Sequence, residues 1–416
     1  MASIEPFRGW LLHDPGSGDD GRCVAPPYDV IDESERDGYA RLSTANVVHL
    51  TLPNPEGELD RYAAARALLE RMAEDTRLTR DEQPCFYLQD VLFRAPGGET
   101  LTRKGLIGLV AIEPIGSGMI RGHEEVQPKP LADRHRLLTA TLANLEPVFF
   151  LYSDSEGAVD QMVAPEREKP PVSSADLQGV RFELRRTDPE ACLAIQQRLR
   201  DRPLYIADGH HRFTVAERFR QERPDLPGSR YRMALLVRAE DPGVVVLPTH
   251  RFVRKIDPAA EEALVERLVE NFQLEDLDCR QILDRLAGPN APGTFGVWLR
   301  RRGRALLARP KPAVLFALAE TIQEPLRSLD VNLLHRFLLE PSALGHTLGC
   351  VYVRGEENPL GLAEEQGVPL AFFLTAPDIE TILEVSDQGR TMPSKSTYFY
   401  PKAASGQVLF RLDMEP

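Results

Sequence analysis

PLYIADGHHRFTVAERFRQER, residues 203–223, decides the fold. An apolar run, Leu204 to Ala207, ends on a carboxylate at Asp208. Gly209 then permits a sharp turn, and the residues after it predict a helix that carries Phe213, Ala216 and Phe219 on one face. Upstream, DPEACLAIQQRLRDR (188–202) predicts a second helix, with Asp188 as N-cap and Pro189 at the first helical position. Downstream, YRMALLVRAED and GVVVLPTHRFV predict two strands on either side of an Asp-Pro-Gly turn. This alternation over the middle third predicts an α/β fold, with α+β elements flanking it.

Toward the N-terminus, DRYAAARALLERMAEDTR (60–77) predicts a helix that Asp60 can cap. PCFYLQDVLF, APGGE and TRKGLIGLVAIEPI predict a β-hairpin. ADRHRLLTATLANL predicts a helix leading into PVFFLYSD, a strand apolar enough to be buried on both faces. VAPEREKPPVSSAD (163–176) reads as a linker or long loop. Beyond residue 255, AAEEALVERLVENF predicts an acidic helix and GTFGVWLRRRGRALLAR a hairpin. The closing TMPSKSTYFYPKAASG has neither helical nor strand period.

At 416 residues the chain exceeds the ~250–300 at which single cores stop growing. Three regions are expected: an α+β region over 1–165, an α/β core over 166–255, and an α+β region over 256–416. The last ~25 residues either return to the site or pack as a structural clasp. The composition, 42% hydrophobic and 27% charged, is that of a globular protein. A net charge of −13 argues against general nucleic-acid binding, which relies on Lys and Arg to neutralise phosphates. Five scattered cysteines without a C-x-x-C pair fit a reducing compartment. With no apolar run near the ~20 residues of a membrane span and no signal-like leader, a cytoplasmic protein without membrane association is expected.

Chemistry concentrates at Asp208-Gly209-His210-His211-Arg212. The first N–H groups of the helix lack internal partners and attract anions, and Arg212 adds a planar cation suited to phosphate or carboxylate. Asp208 suits a general base or a cation ligand, and either imidazole can shuttle protons near neutral pH. The same string also reads as a capping aspartate followed by solvent-facing histidines. A second cluster, Gly122-His123-Glu124-Glu125 with Lys129, Asp133 and Arg134, joins an acid/base pair to cations, or is simply a solvated charged loop. Tyr28-Asp29 and His250-Arg251 lie at the ends of apolar segments, where α/β sites gather. In the tail, Ser394, Lys395, Ser396, Thr397, Tyr398, Tyr400 and Lys402 offer donors to an anion, or form an arm that packs its aromatics. There is no P-loop, nucleophile elbow or EF-hand loop, and GSGMIRG (116–122) makes no dinucleotide fingerprint.

Seven ordered blocks carry a family resemblance: APPYDVI (25–31), Asn46-Val47-Val48, HEEVQPKPLADRHRLL (123–138), ANLEPVFFLY (143–152), ADGHHRFTVA (207–216), DPGVVVLPTHR (241–251) and MPSKSTYFYPK (392–402). Together they resemble the domain of unknown function 1015 family over nearly the full chain. More distantly, Gly209-His210-His211-Arg212 is similar to the G-x-x-R box of the ParB/sulfiredoxin superfamily, which includes free-serine kinases. That likeness implies a nucleotide- or phosphate-binding core, with Asp208 and His210 as chemical residues and Gly209 and Arg212 as phosphate contacts. Sulfiredoxins carry cysteine where His210 stands, which disfavours sulfinic-acid reduction, and no basic DNA-reading helical region is present.

The expected function is therefore a phosphotransferase or phosphatase acting on a small metabolite, with serine or phosphoserine implied by the resemblance. The alternative is a non-catalytic, nucleotide-responsive binding protein, and a purely structural role is a third reading. Asp208, His210, His211 and Glu124 are the catalytic candidates. Gly209, Arg212, Tyr28, Asp29, His123, Lys129, Arg134, His250, Arg251, Lys395, Ser396 and Tyr398 are the candidate substrate or phosphate contacts. Mg²⁺ and a nucleotide are the expected cofactors, and a small anionic metabolite or nucleotide is the expected partner.

Overall fold

The computed structural model describes residues 3–116, 118–288, 292–340, 348–354 and 358–415. Ser117 of the 116–122 stretch and the side chain of Cys279 lie outside the described residues. The chain divides into two compact units. The first takes Met1–Gly122, Val126–Val245 and Pro401–Pro416; the second takes His123–Glu125 and Val246–Tyr400.

The first unit is a mixed α/β body around a nine-stranded sheet. Its strands are β1 (Ile4–Glu5), β2 (Tyr87–Arg94), β3 (Thr100–Ala111), β4 (Ile120–Arg121), β5 (Val148–Tyr152), β6 (Ser173–Leu177), β7 (Val180–Arg186), β8 (Leu204–Asp208) and β9 (Tyr231–Arg238). The order is β4-β8-β5-β9-β3-β2-β7-β6, with β1 paired to β3. The β2–β3 pair is the hairpin expected from the sequence, antiparallel from Tyr87 opposite Ile107 to Arg94 opposite Thr100. β5 is buried at every position, as an apolar central strand requires. It runs parallel to β9 and antiparallel to β8. Strands from both of the regions expected at 1–165 and 166–255 share this sheet.

Local chemistry sets the helices. Asp60 caps the helix Arg61–Glu74 by accepting the N–H groups of Tyr62 and Ala63. Asp188 stands at the N-cap of Pro189–Leu199 without a capping bond, and its carboxylate instead meets Lys169. The helix expected from residue 132 begins earlier, at Pro128, because the two prolines of PKP fit a first turn where N–H groups have no partners. The stretch expected to be a linker at 163–176 is corrected: it contains a short helix, Ala164–Arg167, and the edge strand β6. Only Ala175 and Leu177 of that strand are buried, so a polar-rich edge strand carries a loop-like composition.

The strands expected on either side of the Asp-Pro-Gly turn separate, Tyr231–Arg238 joining the first sheet and Thr249–Val253 the second unit. The second unit has a six-stranded sheet of β10 (Thr249–Val253), β11 (Phe272–Leu277), β12 (Phe295–Leu299), β13 (Arg304–Pro310), β14 (Val351–Arg354) and β15 (Leu370–Phe373), ordered β11-β13-β12-β15-β10-β14. The acidic helix Pro258–Asn271, capped by Asp257, places Leu264 and Leu268 in a core with Phe272, Phe295 and Phe372.

The C-terminal segment after Tyr400 is stitched into the first unit. Ser405 exchanges backbone hydrogen bonds with Ala25 and Leu409 with Trp10, and Phe410–Arg411 pairs with Ala143–Asn144. Val408, Leu409, Phe410 and Leu412 are buried. Among the described residues no helix is long and apolar enough to cross a membrane.

Candidate functional site

The first unit builds a charged site at the end of β8. Between Ile206 and Asp208 the register against β5 shifts, two residues of β8 spanning one step from Phe150 to Phe149. Such a bulge re-aims the side chain that follows it, here Asp208. Gly209 has φ +96°, and a Cβ there would lie 3.0 Å from Nε and Nη2 of Arg212. The glycine therefore serves two ends: it adopts a left-handed backbone and leaves room for a guanidinium folded back over it. Gly209, not Asp208, is the N-cap of the helix His210–Glu222, and no side chain caps it. The reading of Asp208 as a simple cap is corrected, because its carboxylate is occupied elsewhere.

Arg212 donates from Nη2 to Asp208 Oδ2 at 2.6 Å and from Nη1 to the Pro147 carbonyl at 2.7 Å. Lys402, from the C-terminal segment, donates from Nζ to the other oxygen of Asp208. Glu146 lies 3.8 Å from Arg212, and its Oε1 accepts the Tyr28 N–H at 3.1 Å and the Ser405 hydroxyl at 3.0 Å. Burial works against the Arg212 charge, but Glu146, Asp208 and Asp29 more than offset it, so its pKa lies above the ordinary arginine value. Tyr28 carries the Arg134 guanidinium 4.0 Å above its ring, and burial followed by the Asp29 charge raises its hydroxyl pKa. Arg134 also donates to the Thr51 carbonyl at 2.9 Å and to Asp133 at 2.8 Å.

The two histidines differ. His210 is buried, and a Cβ at Gly122 would lie 3.2 Å from its Cδ2, so that glycine makes room for the ring. His211 accepts the Gln127 N–H at Nε2, 2.8 Å away, which leaves the proton of the neutral ring on Nδ1. Lys129 is exposed in the first turn of the helix Pro128–Thr141.

The second unit gathers the remaining candidates: His123, Glu124, His250, Arg251, Lys395, Ser396 and Tyr398. Glu124 accepts the Lys395 N–H at 2.8 Å, and His123 Nε2 lies 3.0 Å from the Thr397 hydroxyl. The Ser396 hydroxyl donates to the Pro393 carbonyl, and the Arg354 guanidinium sits 5.0 Å from the Tyr398 ring centre. Lys395 has φ +61°, and its carbonyl accepts from Arg251 Nη2 at 3.1 Å. Arg251 is fully buried and its other bond goes to the Thr249 carbonyl. Burial lowers its pKa despite Asp330 and Glu124 nearby. His250 accepts the Leu374 N–H at Nδ1, and burial, aided by the Arg251 charge, pushes its pKa down to about 4. The two units thus divide the candidates, nine in the first and seven in the second.

A family model described as a protein of unknown function, DUF1015, matches residues 4–332. The chain belongs to that family. No curated protein matches it. Among solved structures, a free serine kinase mutant in complex with ADP is 14% identical, covers 68% of this chain and 84% of its own, and has a TM-score of 0.38. SbnI with C-terminal truncation from Staphylococcus aureus is 11% identical, covers 73% and 86%, and also has a TM-score of 0.38. A conserved hypothetical protein from Pyrococcus furiosus is 13% identical, covers 71% and 93%, and has a TM-score of 0.36. At these TM-scores nothing about this DUF1015 chain is carried over from them.

Some contributors to the DUF1015 site carry little sequence signal. Glu146 precedes the apolar strand β5, a position where a carboxylate can meet the end of a neighbouring helix. Arg103 sits inside β3 and is 1% exposed. It donates to the Pro401 carbonyl, next to Lys402, and lies over the Phe149 ring at 4.9 Å. Burial lowers its pKa to about 10 in spite of Asp241 and Asp208. An arginine inside an apolar strand is the signal that could have marked it. The expected Mg²⁺ does not fit as a protein-ligated ion. Each oxygen of Asp208 faces a cation, and among the described residues no group of three His, Cys, Asp or Glu is placed to hold a metal.

Proposed function

We propose that this DUF1015 protein binds a phosphorylated small molecule at the Asp208–Arg212 turn and transfers or hydrolyses its phosphoryl group. One observation carries the reading: a carboxylate at a bulged strand end is shared by two cations, the buried Arg212 and the part-buried Lys402, beside the start of a thirteen-residue helix. An incoming phosphoryl group competes with Asp208 for Lys402 and meets the first N–H groups of the helix, which no side chain caps. Lys402 moving to the phosphoryl oxygens frees one oxygen of Asp208. That oxygen accepts the proton of a hydroxyl or water as its oxygen bonds to phosphorus and the bridging P–O bond breaks. Arg212 keeps the other oxygen and the Pro147 carbonyl, so it positions Asp208 rather than the substrate. His210 assists proton transfer, and a nucleotide is the proposed phosphoryl donor for an acceptor such as serine.

The test is phosphate release and transfer over a panel of nucleotides, serine and phospho-amino acids, read by mass spectrometry. Asp208→Asn and His210→Ala are expected to lose the activity, and undiminished turnover in both overturns their assigned roles. The full occupation of Asp208 by cations favours a second reading, a nucleotide-responsive binder without turnover. Saturable thermal stabilisation by a nucleotide with no product, acceptors present, decides for the binder.

A further inference from the structure

A cavity of about 40 Å³ in the first unit is lined on its polar side by Thr51, Arg134, Glu146, Arg212 and Arg232, with leucine, alanine and valine side chains forming the rest. Asp208, His210 and Lys402 do not line it. One water needs ~10–15 Å³ of such space, so the cavity holds more than a single water.

Among the described residues, two of its polar atoms are buried without a hydrogen-bond partner: Nε of Arg232 and Oγ1 of Thr51. They come from separate parts of the chain, Thr51 from the end of a short helix and Arg232 from β9. Arg232 is 4% exposed and Thr51 0%. Arg232 donates from Nη2 to the Glu146 carbonyl at 2.6 Å, but among the described residues no carboxylate lies within ion-pair distance of it. Burial pulls its pKa down to about 9, and the neighbouring Arg212 charge pulls the same way.

The other lining charges are already engaged. Arg134 serves Asp133 and the Thr51 carbonyl, and Arg212 serves Asp208 and the Pro147 carbonyl. Glu146, the only carboxylate among the described lining residues, has Oε1 taken by the Tyr28 N–H and the Ser405 hydroxyl. Three guanidiniums therefore face one carboxylate around a space with two unanswered donors. A buried cation without a counter-charge is costly, and an anion in contact with it removes that cost.

We propose that this cavity binds one small inorganic anion, a halide or a tetrahedral oxyanion, held by the Arg232 Nε–H and the Thr51 hydroxyl. The anion neutralises the guanidinium cluster behind the helix that carries Arg212. The proposal goes beyond the chemistry assigned to Asp208 and does not depend on it.

The test is thermal unfolding of the full chain in sodium chloride, bromide or phosphate, against sodium gluconate at matched ionic strength. A saturating rise in the midpoint with chloride and bromide identifies a halide, and one with phosphate alone identifies the oxyanion. Thr51→Val is expected to weaken the apparent affinity roughly ten-fold, as loss of a hydrogen bond to a charged group does. Arg232→Met, if it folds, loses the saturable response. Thr51 takes no part in the chemistry proposed at Asp208, so its variant separates this cavity from phosphate bound at that turn. An equal response to all four salts overturns the proposal. So does a saturable response that Thr51→Val leaves unchanged, or a crystal grown in bromide or phosphate whose cavity holds only water.

Discussion

Arg212 and Arg251 are both buried guanidiniums, one in each unit, and their surroundings hold them in opposite ways. Arg212 faces carboxylates, Asp208 at 2.6 Å and Glu146 at 3.8 Å, and its pKa is raised. Arg251 donates to two backbone carbonyls, those of Thr249 and Lys395, and its pKa is lowered by burial. The first arrangement holds one oxygen of Asp208 in place while the other meets Lys402, a partner that an ionic ligand can exchange. The second spends its charge on fixing a backbone turn, and Glu124 does the same from the other side by accepting the Lys395 N–H. That difference is why we place the proposed chemistry at Asp208 and give the Lys395 turn a structural part.

The largest expected effect comes from removing each guanidinium. Arg212→Met takes the nearest cation from Glu146 and from one oxygen of the part-buried Asp208 and should cost ~3–5 kcal/mol. Arg251→Met leaves two carbonyls unsatisfied and should cost ~1–3 kcal/mol. Urea unfolding of both proteins measures the pair. Equal losses would break the comparison, because they would mean that the carboxylate partners of Arg212 add nothing.

Acid sharpens it from the other side. The pKa of His250 falls from the ordinary ~6.5 to about 4 in the folded chain, through burial first and the Arg251 charge second. As pH drops from 6.5 toward 4, the unfolded state takes up the proton before the folded state does. The contribution is present above pH 6.5 and is lost progressively down to pH 4, by roughly 3 kcal/mol in total. His335 shifts in the same direction for the same reasons. Stability measured across pH 4–7 should therefore fall on the acid side, and His250→Gln should flatten the fall. An unchanged slope in that variant would show that His250 is not held neutral.

Much of this was legible in the sequence, and what was hidden has a physical reason. The Asp208 turn, the helix capped by Asp60 and the β2–β3 hairpin are written in local spacing, because one strand end, one cap and one turn each need only adjacent residues. The mixed α/β class follows from the same alternation. The pairing of Lys402 with Asp208 joins residues 194 apart, and no local pattern announces it. The bulge before Asp208 is a property of two strands together and is invisible in either alone. β6 was masked by its composition, since an edge strand with two buried side chains needs little apolar sequence. Arg103 and Arg232 resemble surface residues by type, and only their place inside strands reveals them as buried.

The smallest expected effect turns on two left-handed residues, Gly209 beside Asp208 and Lys395 in the second unit. Gly209→Ala forces a side chain into φ +96° and brings its Cβ to 3.0 Å from the Arg212 guanidinium. A loss of ~1–2 kcal/mol is expected, larger than backbone strain alone because Arg212 must shift off Asp208. Lys395→Gly relieves the strain of φ +61° but adds freedom to the unfolded chain, and these offset to within ~0.5 kcal/mol. Chemical unfolding of both variants reads the difference. Gly209→Asn, which tolerates a left-handed backbone better than alanine but keeps the Cβ, separates the two causes. If it is as stable as wild type, the close approach of Arg212 plays no part in requiring glycine at that turn.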